Sequence, residues 1–273
     1  MSYFLQHQQN NIWHGKFSLF PEAAVAHCIS TRLGGVSDKP YASLNLGLHV
    51  GDEPSKVRDN RRLLLQSLNL KPSAVCTPEQ IHGDKVARVT AQDAGRGSLD
   101  YADCIPGTDA LITSEPELPL MLCYADCTPI LFFDPENLAI GIAHGGWKGT
   151  AASIAKKTLL SMEIEFGTKP EECLAAVGPA IGASCYTVGD EVAGIFRQNF
   201  PAYADKILTA TDNVWHLDLA AANRYELLDA GILPENLESA ETCTACENQW
   251  YFSHRKEGGH TGRHAAVMAL RRY

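Results

Sequence analysis

Short apolar runs alternate with polar segments along most of the chain, and their lengths predict both strands and helices. Apolar runs of a few residues, bounded by glycine, proline or aspartate, are typical of buried strands. On this pattern we predict strands over residues 23–31, 74–81, 85–91, 109–113, 118–125, 128–133, 138–143, 173–177, 214–217, 239–243, 249–254 and 263–271.

Helical periodicity places apolar residues three and four positions apart in several longer segments. Pro54 begins the first of these, because proline is well tolerated in the first turn of a helix. Asp218 precedes the last and is suited to cap its free N–H groups. The predicted helices cover residues 54–68, 150–166, 190–198 and 219–230. Strands and helices alternate in the middle of the chain but not at its ends, which predicts an α/β (α+β) fold with helices covering mixed β-sheets.

The composition is that of a globular chain with an ordinary core. Its 273 residues are 45% hydrophobic, which is enough to bury one large core. No linker, internal repeat or low-complexity run interrupts the pattern, so we expect residues 1–273 to form a single domain. The nine cysteines lie in apolar segments and follow no signal peptide, which favours free thiols over a disulfide framework.

Charge and hydropathy disfavour two classes of partner. The net charge is −9 and lysine and arginine form no cluster, which disfavours binding to a nucleic acid. No apolar run approaches the roughly 18 residues that suggest a membrane-spanning helix. The N-terminal residues lack the basic and apolar regions of a secretory signal, so we expect a cytoplasmic protein without a membrane partner.

Three side chains with metal-binding chemistry follow closely on predicted strands. They are His82, Cys127 and His144. Two imidazoles and one thiolate suit Zn²⁺, and three protein ligands leave a fourth position open, as in catalytic zinc sites. The three residues are 45 and 17 positions apart, so the spacing matches no short metal-binding motif and is weak evidence by itself.

A glycine-rich segment follows His144 and precedes the predicted helix 150–166. Backbone N–H groups and the helix dipole favour an anion at such a point, so phosphate could bind beside the metal with Lys148. The alternative is that these glycines only form a tight turn. Other polar side chains in loops or near strand ends could hold phosphate, ribose or base, although each could equally be structural; these are Arg32, Asn45, Arg61, Arg255 and Arg263.

Further candidates have less distinctive patterns. Asp126 adjoins Cys127 and is either a proton donor or a positioning partner of the ligand. Cys243 and Cys246 lack the second pair that a zinc ribbon needs, and we interpret them as buried or incidental thiols. Three C-terminal histidines are irregularly spaced, which is more typical of surface residues than of ligands; they are His254, His260 and His264.

Ordered motifs run along nearly the whole chain, among them Gln80-Ile81-His82-Gly83 and Ala125-Asp126-Cys127-Thr128-Pro129. In these motifs the chain resembles the YfiH/YlmD family, once called the laccase-domain or multicopper polyphenol oxidase family and now viewed as purine nucleoside phosphorylases. The family usually has arginine at the position of Lys148, and lysine lacks the planar fork of arginine. The matching motifs cover residues 31–37, 40–47, 60–61, 80–83, 109–113, 125–129, 143–149, 178–182, 243–244, 252–255 and 261–263.

The resemblance implies a YfiH-like sandwich fold and a metal held by the same His82, Cys127 and His144. It implies phosphorolysis of adenosine, inosine and 5′-methylthioadenosine, with phosphate as the second substrate, together with adenosine deamination. Zinc is the expected metal, and Cu²⁺ is less favoured. The catalytic residues would then be Cys127, His82, His144 and Asp126, in a monomer or weak homo-oligomer.

Three other functions remain open. The first is a copper polyphenol oxidase, although a laccase needs several histidine-rich copper centres and this chain shows one three-ligand set. The second is a hydrolase with Cys127 as nucleophile and a histidine as base, since the same family has been linked to peptidoglycan editing. The third is a non-catalytic protein with a structural metal, which an open three-ligand site disfavours.

Overall fold

The computed structural model describes residues 3–8 and 11–272, which contain six α-helices and fourteen short strands. The helices are α1 (Pro54–Ser67), α2 (Trp147–Ala151), α3 (Ile154–Phe166), α4 (Asp190–Asn199), α5 (Ala204–Ile207) and α6 (Leu219–Asp229). The strands are β1 (Tyr3–His7), β2 (Trp13–Phe17), β3 (Val25–Ser30), β4 (Val86–Arg88), β5 (Ala110–Thr113), β6 (Leu120–Tyr124), β7 (Thr128–Asp134), β8 (Ala139–Gly145), β9 (Leu174–Val177), β10 (Thr187–Val188), β11 (Leu208–Thr211), β12 (Val214–Leu217), β13 (Leu237–Ser239) and β14 (His264–Leu270).

Two large sheets form the centre of the fold. The first is antiparallel throughout and has the strand order β1-β2-β3-β14-β6. The second is mixed and has the order β13-β9-β7-β8-β5-β4, with parallel pairs only at its two edges. The strands at the middle of both sheets are buried along their whole length, which explains their continuous apolar runs.

A hydrophobic core packs against each face of the two large sheets. One core lies between the two sheets and includes Phe17, Tyr124 and Phe133. The outer face of the second sheet packs on α3 and α6, and the outer face of the first sheet packs on α1. The result is a sandwich of two sheets between two helical layers, so the predicted fold class is confirmed.

A smaller antiparallel sheet, β10-β12-β11, packs with α4 and α5 beside this sandwich. Phe196 of α4 and Leu217 of β12 are among the residues of its core. The core also includes Ala222 of α6, and α6 thereby connects the small sheet to the second large sheet. Asp218 caps α6 as predicted, because its side chain accepts a hydrogen bond from the Ala221 N–H at 2.8 Å.

Two predicted strands are wrong. Residues 74–81 make only isolated bridges at Cys76 and Pro78, since proline has no N–H to donate and Gln80 has a left-handed φ of 53°. Residues 249–254 form turns, because the Trp250 and Tyr251 N–H groups bond back to the Glu247 carbonyl rather than to a neighbouring strand. Apolar character in both segments reflects burial without sheet pairing.

The bounds of other helices and strands differ from the predicted ones. The predicted helix 150–166 is two helices, α2 and α3, separated at Ser153, which has a left-handed φ of 64°. The strand predicted over 239–243 lies at 237–239. Four short strands were not predicted, and each of them contains polar residues or glycine; they are β1, β2, β10 and β11. No helix among the described residues combines the length and apolar character needed to span a membrane.

Candidate metal centre

The structure brings the three predicted ligands together. One ligand atom each from His82, Cys127 and His144 lies within 4.8 Å of the other two. The His82 and His144 rings meet edge to face, with centroids 4.8 Å apart. His144 is buried, Cys127 is half-buried and His82 is exposed, so the cluster lies where the core meets solvent.

Strand register explains why Cys127 and His144 meet. The antiparallel strands β7 and β8 pair Thr128 with Gly145 and Pro129 with His144. The start of β7 therefore lies beside the end of β8, and Cys127, immediately before β7, is adjacent to His144. A separation of 17 residues along the chain becomes a neighbouring pair in space because the two strands form a hairpin.

Asp109 connects the third ligand to this strand edge. Its buried carboxylate accepts the backbone N–H groups of Ile81, His82 and Gly83 at 3.1, 2.9 and 2.7 Å. It also accepts a hydrogen bond from His144 Nδ1 at 2.9 Å, which leaves Nε2 of that ring free to ligate a cation. Asp109 thus positions two of the three ligands at once.

The loop that carries His82 is fixed at a second point. Gln80 Nε2 donates to the Cys123 carbonyl, and its Oε1 accepts the Cys123 N–H, both at 2.8 Å. His82 itself has a left-handed φ of 61°, as does Asp126 with a φ of 86°. Left-handed backbone at non-glycine residues is uncommon and often accompanies functional sites.

Gly146 leaves room for a cation between the ligands. A Cβ atom at this position would lie 3.0 Å from His82 Cδ2, 3.3 Å from Cys127 Sγ and 3.8 Å from His144 Cε1. Any side chain here would enter the space on which the three ligand groups converge. This space and the borderline-soft donors, two imidazoles and a thiolate, fit a zinc ion.

The Cys127 thiol and the His144 imidazole shift each other's pKa in opposite directions. Burial raises the pKa of Cys127, but the His144 and His82 imidazoles outweigh burial and lower this pKa to about 6. Burial lowers the pKa of His144, but Cys127 and Asp109 outweigh it and raise this pKa to about 9. The lowered pKa of Cys127 favours the thiolate, which is the form that binds metals.

A cavity of about 370 Å³ opens over the cluster. Its volume lies within the range of small-molecule sites, roughly 300–1,000 Å³. Its walls combine the ligand cluster with aromatic, imidazole and guanidinium groups. The lining includes His49, Gln80, Asp126, Trp147, Tyr186, Leu219, His254, Arg255 and Arg263.

Two of the predicted phosphate-binding residues line this cavity. The Arg255 guanidinium donates to the Thr187 carbonyl and hydroxyl and lies 5.0 Å from the centroid of the Tyr186 ring. Arg263 donates from Nη1 to the carbonyls of Thr261 and Gly262. Both guanidinium groups therefore bring positive charge to the same cavity as the ligand cluster.

Asp126 also lines the cavity, but its carboxylate already accepts two hydrogen bonds from other residues. Oδ1 accepts the Thr244 hydroxyl at 2.7 Å, and Oδ2 accepts the Arg255 N–H at 2.7 Å. Both oxygens of the carboxylate therefore already accept hydrogen bonds from the protein. This geometry favours the positioning role of Asp126 over proton donation.

The four other predicted phosphate-binding residues lie outside the cavity lining. Arg32 pairs with Glu257 at 3.0 Å and stacks on Phe252. Asn45 is fully buried between loops, and the buried Arg61 donates to three backbone carbonyls. Lys148 is exposed, 5.6 Å from the Trp147 ring. The first three hold loops together, and a direct role for any of the four in binding phosphate stays a prediction.

The glycine-rich segment does not lead into one long helix as expected, and anion binding at this segment stays a prediction. The glycine-rich segment leads into α2, which has only five residues, and the longer α3 begins at Ile154. The turn therefore lacks a long helix dipole aimed at the ligand cluster. The arginines that do line the cavity are Arg255 and Arg263, which are far from this segment in sequence.

Asp109 was not among the predicted site residues, although its carboxylate holds the His82 loop and the His144 ring. It begins the motif at 109–113, and its position directly before an apolar run was the only available signal. His49 and Tyr186 gave no signal, because each lies in a polar loop and reaches the cavity through tertiary folding. The prediction that His264 lies at the surface is wrong, since this residue is fully buried in β14.

Residues 26–271 match the family described as multi-copper polyphenol oxidoreductase laccase. The chain belongs to this family, which includes the YfiH and YlmD proteins. It is 40% identical over 252 residues to purine nucleoside phosphorylase YlmD of Geobacillus stearothermophilus, covering 92% of each chain. It is 36% identical over 251 residues to purine nucleoside phosphorylase YfiH of Escherichia coli K12, covering 90% of this chain and 94% of that one.

Solved structures of the family share this fold. The crystal structure of YlmD from Geobacillus stearothermophilus superimposes with a TM-score of 0.93 at 37% identity, covering 99% of this chain and 100% of that one. That of a YfiH protein from Bacillus licheniformis superimposes with a TM-score of 0.88, also at 37% identity, covering 93% of this chain and 99% of that one. The predicted family is thereby confirmed.

Proposed function

We propose that this protein is a zinc-dependent purine nucleoside phosphorylase. The observation that carries the proposal is the convergence of His82, Cys127 and His144 in a cavity that also receives Arg255 and Arg263. Relatives that cover nine-tenths of the chain carry the name purine nucleoside phosphorylase, which agrees with this arrangement. The proposed substrates are adenosine, inosine and 5′-methylthioadenosine, with inorganic phosphate.

His82, Cys127 and His144 would hold the zinc ion, with Asp109 fixing the orientation of His144. When bound, zinc would supply Lewis-acid polarisation of a phosphate or water oxygen. Copper also binds imidazole and thiolate, but the mixed three-ligand set with an open position is typical of catalytic zinc. Zinc rather than copper is therefore the proposed cofactor.

The cavity walls offer groups for each part of a purine nucleoside. Arg255 and Arg263 would bind phosphate, because guanidinium groups form charge-assisted hydrogen bonds with phosphate oxygens. Trp147 and Tyr186 are aromatic surfaces in the same cavity, against which a purine ring would stack. Asp126 would hold the Arg255 backbone in place through its 2.7 Å bond.

We infer that adenosine deamination is a second activity of the same cavity. The two reactions differ in the nucleophile, which is phosphate at the ribose carbon in phosphorolysis and water at the purine ring carbon in deamination. An open cavity with one cation site serves both substrates without rearrangement of the ligands. Phosphate concentration would then set the ratio of free base to deaminated nucleoside.

The test is chromatography of adenosine after incubation with zinc-verified protein, with and without phosphate. Release of adenine and ribose 1-phosphate only with phosphate supports phosphorolysis. Inosine formed without phosphate supports deamination. If protein shown to hold zinc forms neither product under either condition, the proposal that it acts on purine nucleosides is wrong.

Variants of the two arginines test the phosphate subsite. Arg255→Gln and Arg263→Gln should each raise the KM for phosphate by about tenfold or more, since one charged hydrogen bond is worth roughly 1.5–3 kcal/mol. The matched control is Arg62→Gln, an exposed arginine of α1 that pairs with Asp59. An equal effect in the control, or an unchanged KM in both cavity variants, contradicts the assignment.

A hydrolase that uses Cys127 as nucleophile is the second candidate, because Cys127 and His144 form a thiolate–imidazole pair. A Cys127→Ser variant that keeps its zinc and loses all activity would favour this candidate. The copper oxidase alternative has less support, because a laccase needs several histidine-rich copper centres and only one of the two ligand clusters among the described residues contains histidine. The cytoplasmic location, the single domain over 1–273 and the monomeric or weakly oligomeric state stay predictions.

A further inference from the structure

A second cluster of metal-binding side chains lies away from the proposed zinc centre. Cys185, Cys243 and Cys246 each place Sγ within 4.8 Å of the other two, and the Cys185 and Cys246 sulfurs are 3.5 Å apart. Cys246 is exposed, and the other two are half-buried. The interpretation of Cys243 and Cys246 as buried or incidental thiols overlooked Cys185, which lies 58 residues before Cys243 in sequence.

The spacing of these sulfurs fits a shared cation. Two thiolates bound to one tetrahedral zinc at about 2.3 Å each are roughly 3.8 Å apart, close to the observed Cys185–Cys246 separation. The Cys243 sulfur also accepts backbone N–H groups from Gly182 at 3.2 Å and Cys246 at 3.5 Å. Such bonds favour the thiolate and orient its remaining lone pairs.

We propose that Cys185, Cys243 and Cys246 form a second binding site for a thiophilic divalent cation, of which zinc is the physiological example. The thiols would release their protons to solvent on binding, and three thiolates together with one water would complete the four-coordinate geometry of a structural zinc site. Glu247 lines the same surface cavity as Cys243 and Cys246 and adds negative charge beside the site.

This cation would join two loops that build the wall of the proposed active site. Cys185 belongs to the loop that contributes Ile181 and Tyr186 to the cavity lining. The other two cysteines belong to the loop of Thr244, whose hydroxyl donates to Asp126. The site is therefore a structural link that positions the cavity wall, and its occupancy does not depend on which reaction the cavity performs.

Backbone hydrogen bonds already connect the two loops that the cation would join. The Ala180 N–H donates to the Thr242 carbonyl at 3.2 Å, and the Thr244 N–H donates to the Ala180 carbonyl at 3.0 Å. The Ile181 N–H donates to the Asp126 carbonyl at 2.9 Å, which extends the contact to the residue before Cys127. A cation held by the thiols would reinforce these few bonds at one end.

The decisive experiment is cobalt substitution combined with metal analysis of the full chain. The Cys127→Ser variant lacks the sulfur of the first site, so thiolate-to-cobalt charge-transfer absorption in this variant must come from the second. We expect that absorption in Cys127→Ser and its loss in Cys127→Ser/Cys246→Ser. Zinc content should fall from about two ions per chain in the wild type to about one in Cys246→Ser.

Cys104→Ser is the matched control, because this buried thiol contacts Thr77 at 3.2 Å and lies outside both clusters. It should bind as much zinc as the wild type. Cys246 is exposed, so its replacement by serine leaves the core unchanged, and far-ultraviolet circular dichroism verifies the fold. Two results would each overturn the proposal: cobalt absorption that survives loss of Cys246, or a Cys185–Cys246 disulfide in the protein as purified.

Discussion

Asp109 shows how one buried side chain controls a whole site. The carboxylate is fully buried, and such a group is costly unless hydrogen bonds satisfy it. Burial raises the pKa of Asp109, but the hydrogen bonds from His144 and from the Gly83 and His82 N–H groups outweigh burial and hold this pKa below its usual value. The ionised carboxylate thus fixes the His82 loop and the His144 ring together.

Replacing this carboxylate by an amide should weaken metal binding. In Asp109→Asn, the amide nitrogen is a donor facing other donors, so the His82 loop and the His144 ring lose their common acceptor. We expect zinc affinity to fall by about 10–100-fold, the usual cost of losing such a partner. Competition with a chromogenic chelator measures the change.

Asp134→Asn is the control for Asp109→Asn. Asp134 is also buried and also accepts backbone N–H groups, from Glu136 and Asn137, but it lies at the opposite end of β7 from Cys127. This variant should lose stability without losing zinc affinity. If both variants lower the affinity equally, Asp109 has no specific role at the site.

Gly146 offers a second test at the scale of one atom. Gly146→Ala adds a methyl group 3.0–3.3 Å from His82 and Cys127, so one of these ligands must move or the cation cannot bind. We expect zinc content to fall below half of one ion per chain at this site while the fold is kept. Gly189→Ala, where a Cβ meets no atom within 4 Å, is the matched control, and equal zinc content in both would refute the argument.

Individual elements could be predicted where a local signal fixes them. α1 begins at Pro54 and α6 follows its Asp218 cap, and both were expected from the sequence alone. The break between α2 and α3 could not be predicted, since the left-handed φ of Ser153 has no signature in residue type. Local chemistry therefore fixes helix starts, while tertiary packing decides where helices break.

The proposed metal ligands show the same contrast between local sequence signals and tertiary structure. The sequence places Cys127 and His144 beside apolar runs, but only the β7–β8 register makes them neighbours. Nothing local predicts that Arg255 and Arg263 reach the cavity while Arg32 and Arg61 do not, because all four lie in polar surroundings. Residue type gives the candidates for a site, and long-range strand pairing selects among them.

The Asp218 cap of α6 should make a measurable contribution to the free energy of unfolding. Asp218→Ala removes the acceptor for the Ala221 N–H and should destabilise the protein by about 1 kcal/mol, the typical value of an N-cap. Chemical denaturation measures this difference. Glu53→Ala is the control, because Glu53 occupies the N-cap of α1 without a capping bond and should change stability by less than about 0.5 kcal/mol. A loss in the control as large as in Asp218→Ala would show that the capping bond contributes nothing.

At the scale of the whole molecule, the sandwich buries imidazoles as well as hydrocarbon. His14, His27 and His264 are all almost fully buried in the first sheet. Burial lowers the pKa of His27 to about 3 and that of His14 to about 4. A fold that keeps histidines neutral in its core is coupled to pH, because the unfolded chain protonates them more readily.

This coupling gives a prediction for His27, whose Nε2 accepts the Phe17 N–H at 3.0 Å and so must be neutral in the folded state. Its pKa of about 3 in the folded protein is below the unfolded value of about 6.5, so the unfolded state binds more protons between these two values. Well above pH 6.5, His27 is neutral in both states and costs no stability. As the pH falls from 6.5 towards 3, protonation of the unfolded chain lowers the free energy of unfolding. We expect the free energy of unfolding to drop by roughly 1–2 kcal/mol between pH 7 and pH 5 through His27 alone.

His27→Gln keeps an acceptor for the Phe17 N–H but removes the titrating group, so its free energy of unfolding should depend less steeply on pH. Urea denaturation at pH 7, 6 and 5 gives the slope for each protein. His260→Gln is the control, since this exposed histidine meets water in both states and its loss should leave the slope unchanged. A His27→Gln slope equal to that of the wild type would mean that the acid sensitivity arises elsewhere, with His14 and His264 as the next residues to replace.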